Sequence, residues 1–416
     1  MQRKITVKGL GRSPGLSVYI ALALTVFAIL IPLRQNLLPK GEVTLWVGLI
    51  RSEVEAIGGL VENFKNEYNV KVKVVWVSNI EDLRSRYRVA VPIGKGPDVL
   101  LGPHDWIGEF AEMGVIAALS EDIFPENERA EFLDEGLEAV TLENKVWGFP
   151  CLMESLVFIY NTQFVENRFE TWDDLLAYAK QVTSGDFYGF YYPHVDPYYS
   201  FPILSGFGAY VFGENDNIDD IGLANDGAIE GARFIQQMIR EGILPRDTTL
   251  NPYSVREYFK AGRAAVIIDG PWAFEEIRRA GVSYSVSNFP RLPNGSYPRT
   301  FIGVQVCMIN PKSKNFDLAV KLARFLASDN SLRVLNRAGW RLPARSSVLS
   351  ELENIPEIGV VLEQIENGII MPKIPEMDSV WTPWTNALKM IVLGQDPAST
   401  LSEAVREIKS AIERRR

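Results

Sequence analysis

The residues that build most metal and redox centres are nearly missing from this 416-residue chain. It has two cysteines, Cys151 and Cys307, and two histidines, His104 and His194, far apart in sequence. That scarcity excludes a disulfide-scaffolded fold and a cysteine-based zinc site, and it argues against any metal centre. Nothing calls for a cofactor or a catalytic group. Acid is also missing, but only locally: the first 40 residues carry Arg3, Lys4, Lys8, Arg12, Arg34 and Lys40 and no Asp or Glu. The rest of the chain therefore holds 37 basic against 52 acidic residues, net −15. This speaks against a general nucleic-acid binder, which needs a basic surface. No fixed-period repeat emerges, and no low-complexity linker separates two autonomous halves.

Long apolar runs are confined to one place. "LSVYIALALTVFAILIPL", Leu16 to Leu33, is free of charge and preceded by basic residues. At about 1.5 Å per residue it just reaches across a hydrocarbon core. The following "IPLRQNLLPKGE" offers neither the small residues of a cleavage site nor the cysteine of a lipoprotein. We expect a basic segment (1–15), an uncleaved transmembrane anchor (16–33) and a linker (34–40), with the basic end inside and the remainder exported. A cleaved signal, leaving a secreted protein, is the alternative.

Beyond residue 41 the apolar pattern switches between two periods. "EVTLWVGL" alternates as a strand does. "EVEAIGGLVENFKNEY" then places Val54, Ile57, Leu60, Val61 and Phe64 on one helical stripe, and "VKVKVVWV" returns to period two. Strand, helix, strand at this spacing is a parallel α/β unit. "GKGPDVLLG" reads as a turn followed by a short buried strand, Val99 to Leu101. "HDWIGEFAEMGVIAAL" reads as a helix with a glycine stop. Later the chain is richer in helix. "TWDDLLAYAKQV" has Thr171 and Asp174 at capping-box spacing, and "NDGAIEGARFIQQMIREG" sets Ile229, Ala232, Ile235 and Ile239 on one face. In "SVREYFKAGRAAVIIDGPWAF" a helix, a glycine turn and a buried strand end at Gly-Pro-Trp, an unusual place for a large ring. From pattern alone this is an α/β protein of two lobes.

Several blocks, in order and at compatible separations, resemble the extracellular solute-binding proteins of ABC importers, in particular the maltose and maltodextrin-binding branch. They are "GKGPDVLLGPHDWIGEFAEMGVIAAL", "VWGFPCLMESLVFIYN", "TWDDLLAYAK", "FPILSGFGAYVFG", "FKAGRAAVIIDGPWAF", "FIGVQVCMIN" and "GIIMPKIPEMDSVW". The resemblance implies a two-lobed periplasmic-binding-protein fold of type II, closing on ligand by hinge motion. On its mapping, one lobe takes 41–152 and 307–350, and the other takes 153–306 and 351–416. Implied partners are an oligosaccharide and a membrane permease with a cytoplasmic ATPase.

A pyranose has an apolar face that aromatic rings can cover and a rim of hydroxyls that carboxylates accept well. The resemblance assigns ligand contact to Asp105, Glu154, Asp196, Tyr198, Trp272 and Trp381, with Trp106, Phe201, Trp384 and Arg51 as secondary candidates. Ordinary core packing is the alternative for each ring. Glu154 interrupts an apolar strand, where a carboxylate is costly unless paired or facing a wet cleft. Departures from the family pattern are Gly102 in place of a tryptophan and Trp106 in place of an arginine. Arg51 and Glu53 stand in for an Asp-Lys pair. Thr382 and Thr385 replace tyrosine and arginine, with Pro383 and Trp384 additional. Competing readings are a glycoside hydrolase using paired carboxylates, a membrane-tethered sugar sensor, and a binding protein for another ligand such as a polyamine. Cys151 and Cys307 lie in segments that resemble neighbouring strands between the lobes. They are expected as two buried thiols, with a hinge-restricting bridge as the alternative.

Overall fold

The computed structural model describes residues 41–415. The expected anchor, 16–33, and its flanks fall outside them. Among the described residues no helix is long and apolar enough to cross a membrane.

The main strands, in chain order, are β1 (Glu42–Val47), β2 (Lys71–Trp76), β3 (Val99–Pro103), β4 (Phe149–Glu154), β5 (Val157–Asn161), β6 (Tyr188–Tyr191), β7 (Ala264–Asp269), β8 (Tyr284–Ser287), β9 (Phe301–Ile309), β10 (Leu342–Pro343) and β11 (Ile369–Ile370). One sheet runs β10-β4-β9-β3-β1-β2, with β11 added beside the start of β9. Its β1, β2 and β3 are parallel, whereas β9 is antiparallel to both β3 and β4. The second sheet runs β8-β5-β7-β6. Each sheet is the nucleus of a lobe.

Local chemistry explains the elements. The helix Arg51–Tyr68 buries Ile57, Leu60, Val61 and Phe64 and stops at Asn69 in the left-handed region. Thr171 accepts from the Asp174 backbone N–H and donates to its carboxylate, which starts the helix Trp172–Val182. Strands β4, β5, β7 and β9 are buried along their whole length and are mostly apolar on both faces because both faces are covered. One large apolar cluster fills the first lobe and takes one face of the second sheet, through Val157, Ile159 and Ile267. The other packs the opposite face, through Phe158, Tyr160, Val266 and Ile268, under helices Asp226–Arg240 and Asp378–Val392.

The chain passes from β4 to β5 through Ser155 and Leu156 alone. It returns where Thr300 leads into β9. The Ser155 and Thr300 hydroxyls are 2.5 Å apart, and Ser155 also donates to the Phe301 carbonyl, so the two crossings are stapled together. His104 ties a further segment to this frame: its Nδ1 accepts from the Val304 backbone and its Nε2 donates to the Met371 carbonyl. That pairing fixes the neutral tautomer, and burial lowers its pKa to about 4. Cys151 and Cys307 are free, buried thiols with Sγ atoms 3.4 Å apart on the neighbouring strands β4 and β9. Both belong to one sheet, so a bond between them would staple that sheet rather than the hinge.

Candidate functional site

The Gly-Pro-Trp corner is held from beneath. β7 ends at Asp269, whose buried carboxylate accepts from Arg256, from the Tyr199 hydroxyl at 3.1 Å and from the Gly270 backbone at 2.9 Å. Gly270 is required there. A Cβ on it would stand 2.3 Å from the Trp272 ring, which folds back over the corner. Trp272 is thereby held at the mouth of a cleft between the lobes. The Tyr198 ring centroid lies 6.5 Å from it, and the Arg341 guanidinium lies 5.4 Å from the ring.

The cleft has a volume of about 710 Å³, and its walls include Asp105, Trp106, Glu154, Asp196, Tyr198, Trp272 and Trp381. Thr382 and Thr385 join them from the helix Asp378–Val392. Three other candidates stand elsewhere. Phe201 is in the core, stacked on Phe301 at 3.8 Å. Trp384 is fully buried one layer behind Trp381, its ring nearly parallel to it. Arg51 lies outside the main cleft, over the Trp76 ring. Trp106 explains Gly102, since a Cβ on Gly102 would come within 2.8 Å of the Trp106 ring. The glycine yields its space to a ring that arrives from four residues later.

At the cleft floor lies a charge cluster of which the sequence suggested only two acids. Arg341, 6% exposed, places its Nη1 2.5–2.6 Å from both Glu53 oxygens, and its Nε donates to Glu154. The second Glu154 oxygen accepts from Gln305 at 3.0 Å. Two glycines make room: a Cβ on Gly339 would collide with the Glu53 carboxylate, and one on Gly303 with the Glu154 side chain. Burial raises the Glu53 carboxyl, with Arg341 opposing. The guanidinium itself is pushed above its usual range because two carboxylates outweigh its own desolvation. Arg341 follows Trp340, which closes the helix Asp329–Gly339 in the left-handed region, so it belongs to no periodic pattern. The available signal was an arginine set directly before the buried Leu342–Pro343 strand.

A second charged group lies along the opposite wall. Arg84 pairs with Glu109 at 2.7 Å and reaches Asp378, at the start of the helix Asp378–Val392, at 2.8 Å. Beside it, burial raises the Asp105 carboxyl to about 7, against the pull of Arg84 and with help from Glu81 and Glu109. Asp196 caps the helix Pro197–Gly206 by accepting from the Tyr198 backbone at 2.9 Å, and burial raises it to about 6. The Tyr198 hydroxyl is buried with no hydrogen-bond partner among the described residues. The cleft therefore combines ring faces, carboxylates and an unsatisfied hydroxyl within one enclosure. No cluster able to hold a metal ion occurs among the described residues.

Residues 51–331 match the model of the bacterial extracellular solute-binding protein family. The chain belongs to that family. A galactooligosaccharide-binding protein of Bacillus subtilis (strain 168) is 32% identical to it over 392 residues, 89% of each chain. A maltooligosaccharide ABC transporter solute-binding lipoprotein of Streptococcus pneumoniae (strain R6) is 33% identical over 336 residues, 77% of this chain and 78% of that one. Among solved structures, the Thermus thermophilus maltotriose binding protein bound with maltotriose superposes with a TM-score of 0.82 at 30% identity, over 89% of this chain and 100% of that one. The fold is the two-lobed α/β architecture of periplasmic binding proteins. The family consists of solute-binding proteins and not of enzymes.

Proposed function

We propose that this solute-binding protein is the oligosaccharide-capturing component of an ABC importer, holding a maltodextrin-type ligand in the interlobe cleft and presenting it to a membrane permease with a cytoplasmic ATPase. The observation that carries this reading is the composition of the cleft between the lobes. Trp272, Tyr198 and Trp381 offer ring faces, Asp105 and Asp196 offer acceptors, and Tyr198 carries a buried hydroxyl that lacks a partner among the described residues. A polyol that stacks and donates several hydrogen bonds satisfies all three at once. Glu154 acts chiefly by holding Arg341 and Gln305, since each of its oxygens is already engaged. That engagement leaves it unsuited to the acid or base role of a hydrolase, which needs a proton-transferring carboxyl within reach of the scissile bond.

In this reading each lobe is centred on one sheet, and the hinge is the stapled pair of crossings at Ser155 and Thr300 together with the 371–378 segment. The apolar 16–33 stretch tethers the ectodomain outside the membrane. A galacto-oligosaccharide is the second ligand class, favoured by the 32% identity to the Bacillus subtilis protein that is named for it.

Thermal shift and calorimetry on the full chain, kept in a detergent without a sugar headgroup, test the proposal. A ligand that binds only the folded state raises its melting temperature. Maltotriose or a longer homologue gives the largest shift in a panel with maltose, trehalose, cellobiose, β-1,4-galactobiose and spermidine. Trp272→Ala weakens binding about twofold to tenfold, because ring stacking contributes about 0.5–1.5 kcal/mol beyond area burial. A clear response to spermidine with none to any gluco- or galacto-oligosaccharide refutes the sugar reading.

A further inference from the structure

A second basin opens on the far side of Trp272. It has a volume of about 450 Å³ and shares three wall residues with the main cleft, namely Gly48, Trp272 and Arg341. Its own walls come from both lobes: Leu49, Ile50 and the first turn of the helix Arg51–Tyr68, with Trp76 and Ser78, on one side, and the helix Phe274–Arg279 on the other. Taken alone, its size falls in the range of small-molecule sites, about 300–1,000 Å³.

Trp76 is the feature that needs a reason. It closes β2, is 37% exposed, and is one of few large apolar side chains left open to solvent. Exposure does not mean looseness here. The indole N–H donates to the Leu49 carbonyl at 2.9 Å, which fixes the plane of the ring, and the Arg51 guanidinium lies 5.4 Å from its centre. The arrangement repeats the one at the main cleft, where Arg341 lies 5.4 Å from the Trp272 ring. The acids of the facing helix are already neutralised, Glu276 by Arg256 and Lys260, and Glu275 by Arg278 and Arg279. What the basin presents to a guest is therefore a fixed ring, the hydroxyls of Ser52 and Ser78, and Arg51, which has no ion pair among the described residues. A polyol stacks on the ring and hydrogen-bonds to the serine hydroxyls and Arg51, whereas a cationic polyamine is repelled by that guanidinium.

We propose that the cleft continues past Trp272 into this basin, and that Trp76, with Arg51 behind it, is a stacking platform for further sugar units, so that the natural ligand is an oligosaccharide longer than the main cleft alone can hold. This rests on the sugar reading above and assigns it a chain-length preference.

The test is calorimetric titration of the full chain, wild type and Trp76→Ala, with the malto series from two to six units and with a β-1,4-galacto series of the same lengths. For the wild type, affinity rises with length until the second basin is filled. Trp76→Ala lowers affinity for the longest bound homologues by about threefold to tenfold, the upper part of the worth of one stacked ring, and leaves that of the shortest unchanged. Ser78→Trp, which fills the basin from an exposed position, gives the same length-selective loss and keeps the proposal testable should Trp76→Ala fold poorly. A loss equal at every length, or no loss at any length in both variants, overturns the second basin while leaving the main cleft in place. Absence of binding by every member of both series overturns the sugar reading and this inference together.

Discussion

Replacing Arg341 by methionine tests whether the cluster at the cleft floor is held together as described. The guanidinium is the shared partner of two carboxylates, Glu53 and Glu154, and Glu53 is fully buried. Removing one member of a buried pair costs about 3–5 kcal/mol, because the charge left behind keeps its desolvation penalty and loses its compensation. Unfolding entropy of about 2.1 cal/mol/K per residue, over the roughly 375 described residues, comes to about 0.8 kcal/mol/K. The expected fall in melting temperature is therefore about 4–6 °C. The pH dependence adds a second readout. A carboxyl whose folded pKa is raised contributes stability that is fully present below the unfolded value and lost as pH rises through the folded one. Burial already raises Glu53 against the pull of Arg341. Without that pull its folded value climbs further, so the deficit of the variant is larger at pH 8 than at pH 5. Adding Glu53→Gln removes the orphaned charge and recovers part of the loss, a coupling expected between contacting residues. Differential scanning calorimetry of the wild type, Arg341→Met, Glu53→Gln and the double variant at both pH values measures all of this. A fall below about 1 °C, or a deficit equal at pH 5 and pH 8, refutes the account of the cluster.

Tyr198→Phe removes a buried hydroxyl that has no partner within the described protein, so melting temperature without ligand holds or rises slightly, while oligosaccharide affinity in titration calorimetry falls about fivefold to tenfold. A matched loss of both would mean that the hydroxyl serves the fold. The raised carboxyl of Asp105, titrating at about 7, accepts sugar hydroxyls in its ionised form, so affinity measured from pH 6 to pH 8 increases with pH. Asp105→Asn flattens that profile, and an unchanged slope in the variant would assign the titration to another group.

Much of the framework was legible in the sequence because the signals are local. The stripe at Ile57, Leu60, Val61 and Phe64, the Thr171 cap and the unbroken apolar run of β7 each follow from period or turn chemistry within a dozen residues. Local signals drew attention to two cleft residues, Trp272 after a Gly-Pro corner and Glu154 inside an apolar strand, whereas Asp196, Tyr198 and Trp381 were assigned through the family resemblance. Arg341 was not legible, because its meaning depends on Glu53, 288 residues earlier in the chain, and on Glu154, 187 earlier. Nothing in the neighbouring residues reports contacts at that range. Trp384 and Phe201 show the opposite limit. Each lies in a stretch rich in rings, and which ring faces the cleft is decided by helical phase. Trp381 and Trp384 are three residues apart on one helix and stack on each other at 6.4 Å, yet Trp381 lines the cleft and Trp384 is sealed behind it. The buried ring has a use of its own: it backs Trp381, as Phe301 does from the side at 6.5 Å. Trp381 is thus the outermost ring of a packed stack, and its plane is set by the rings behind and beside it.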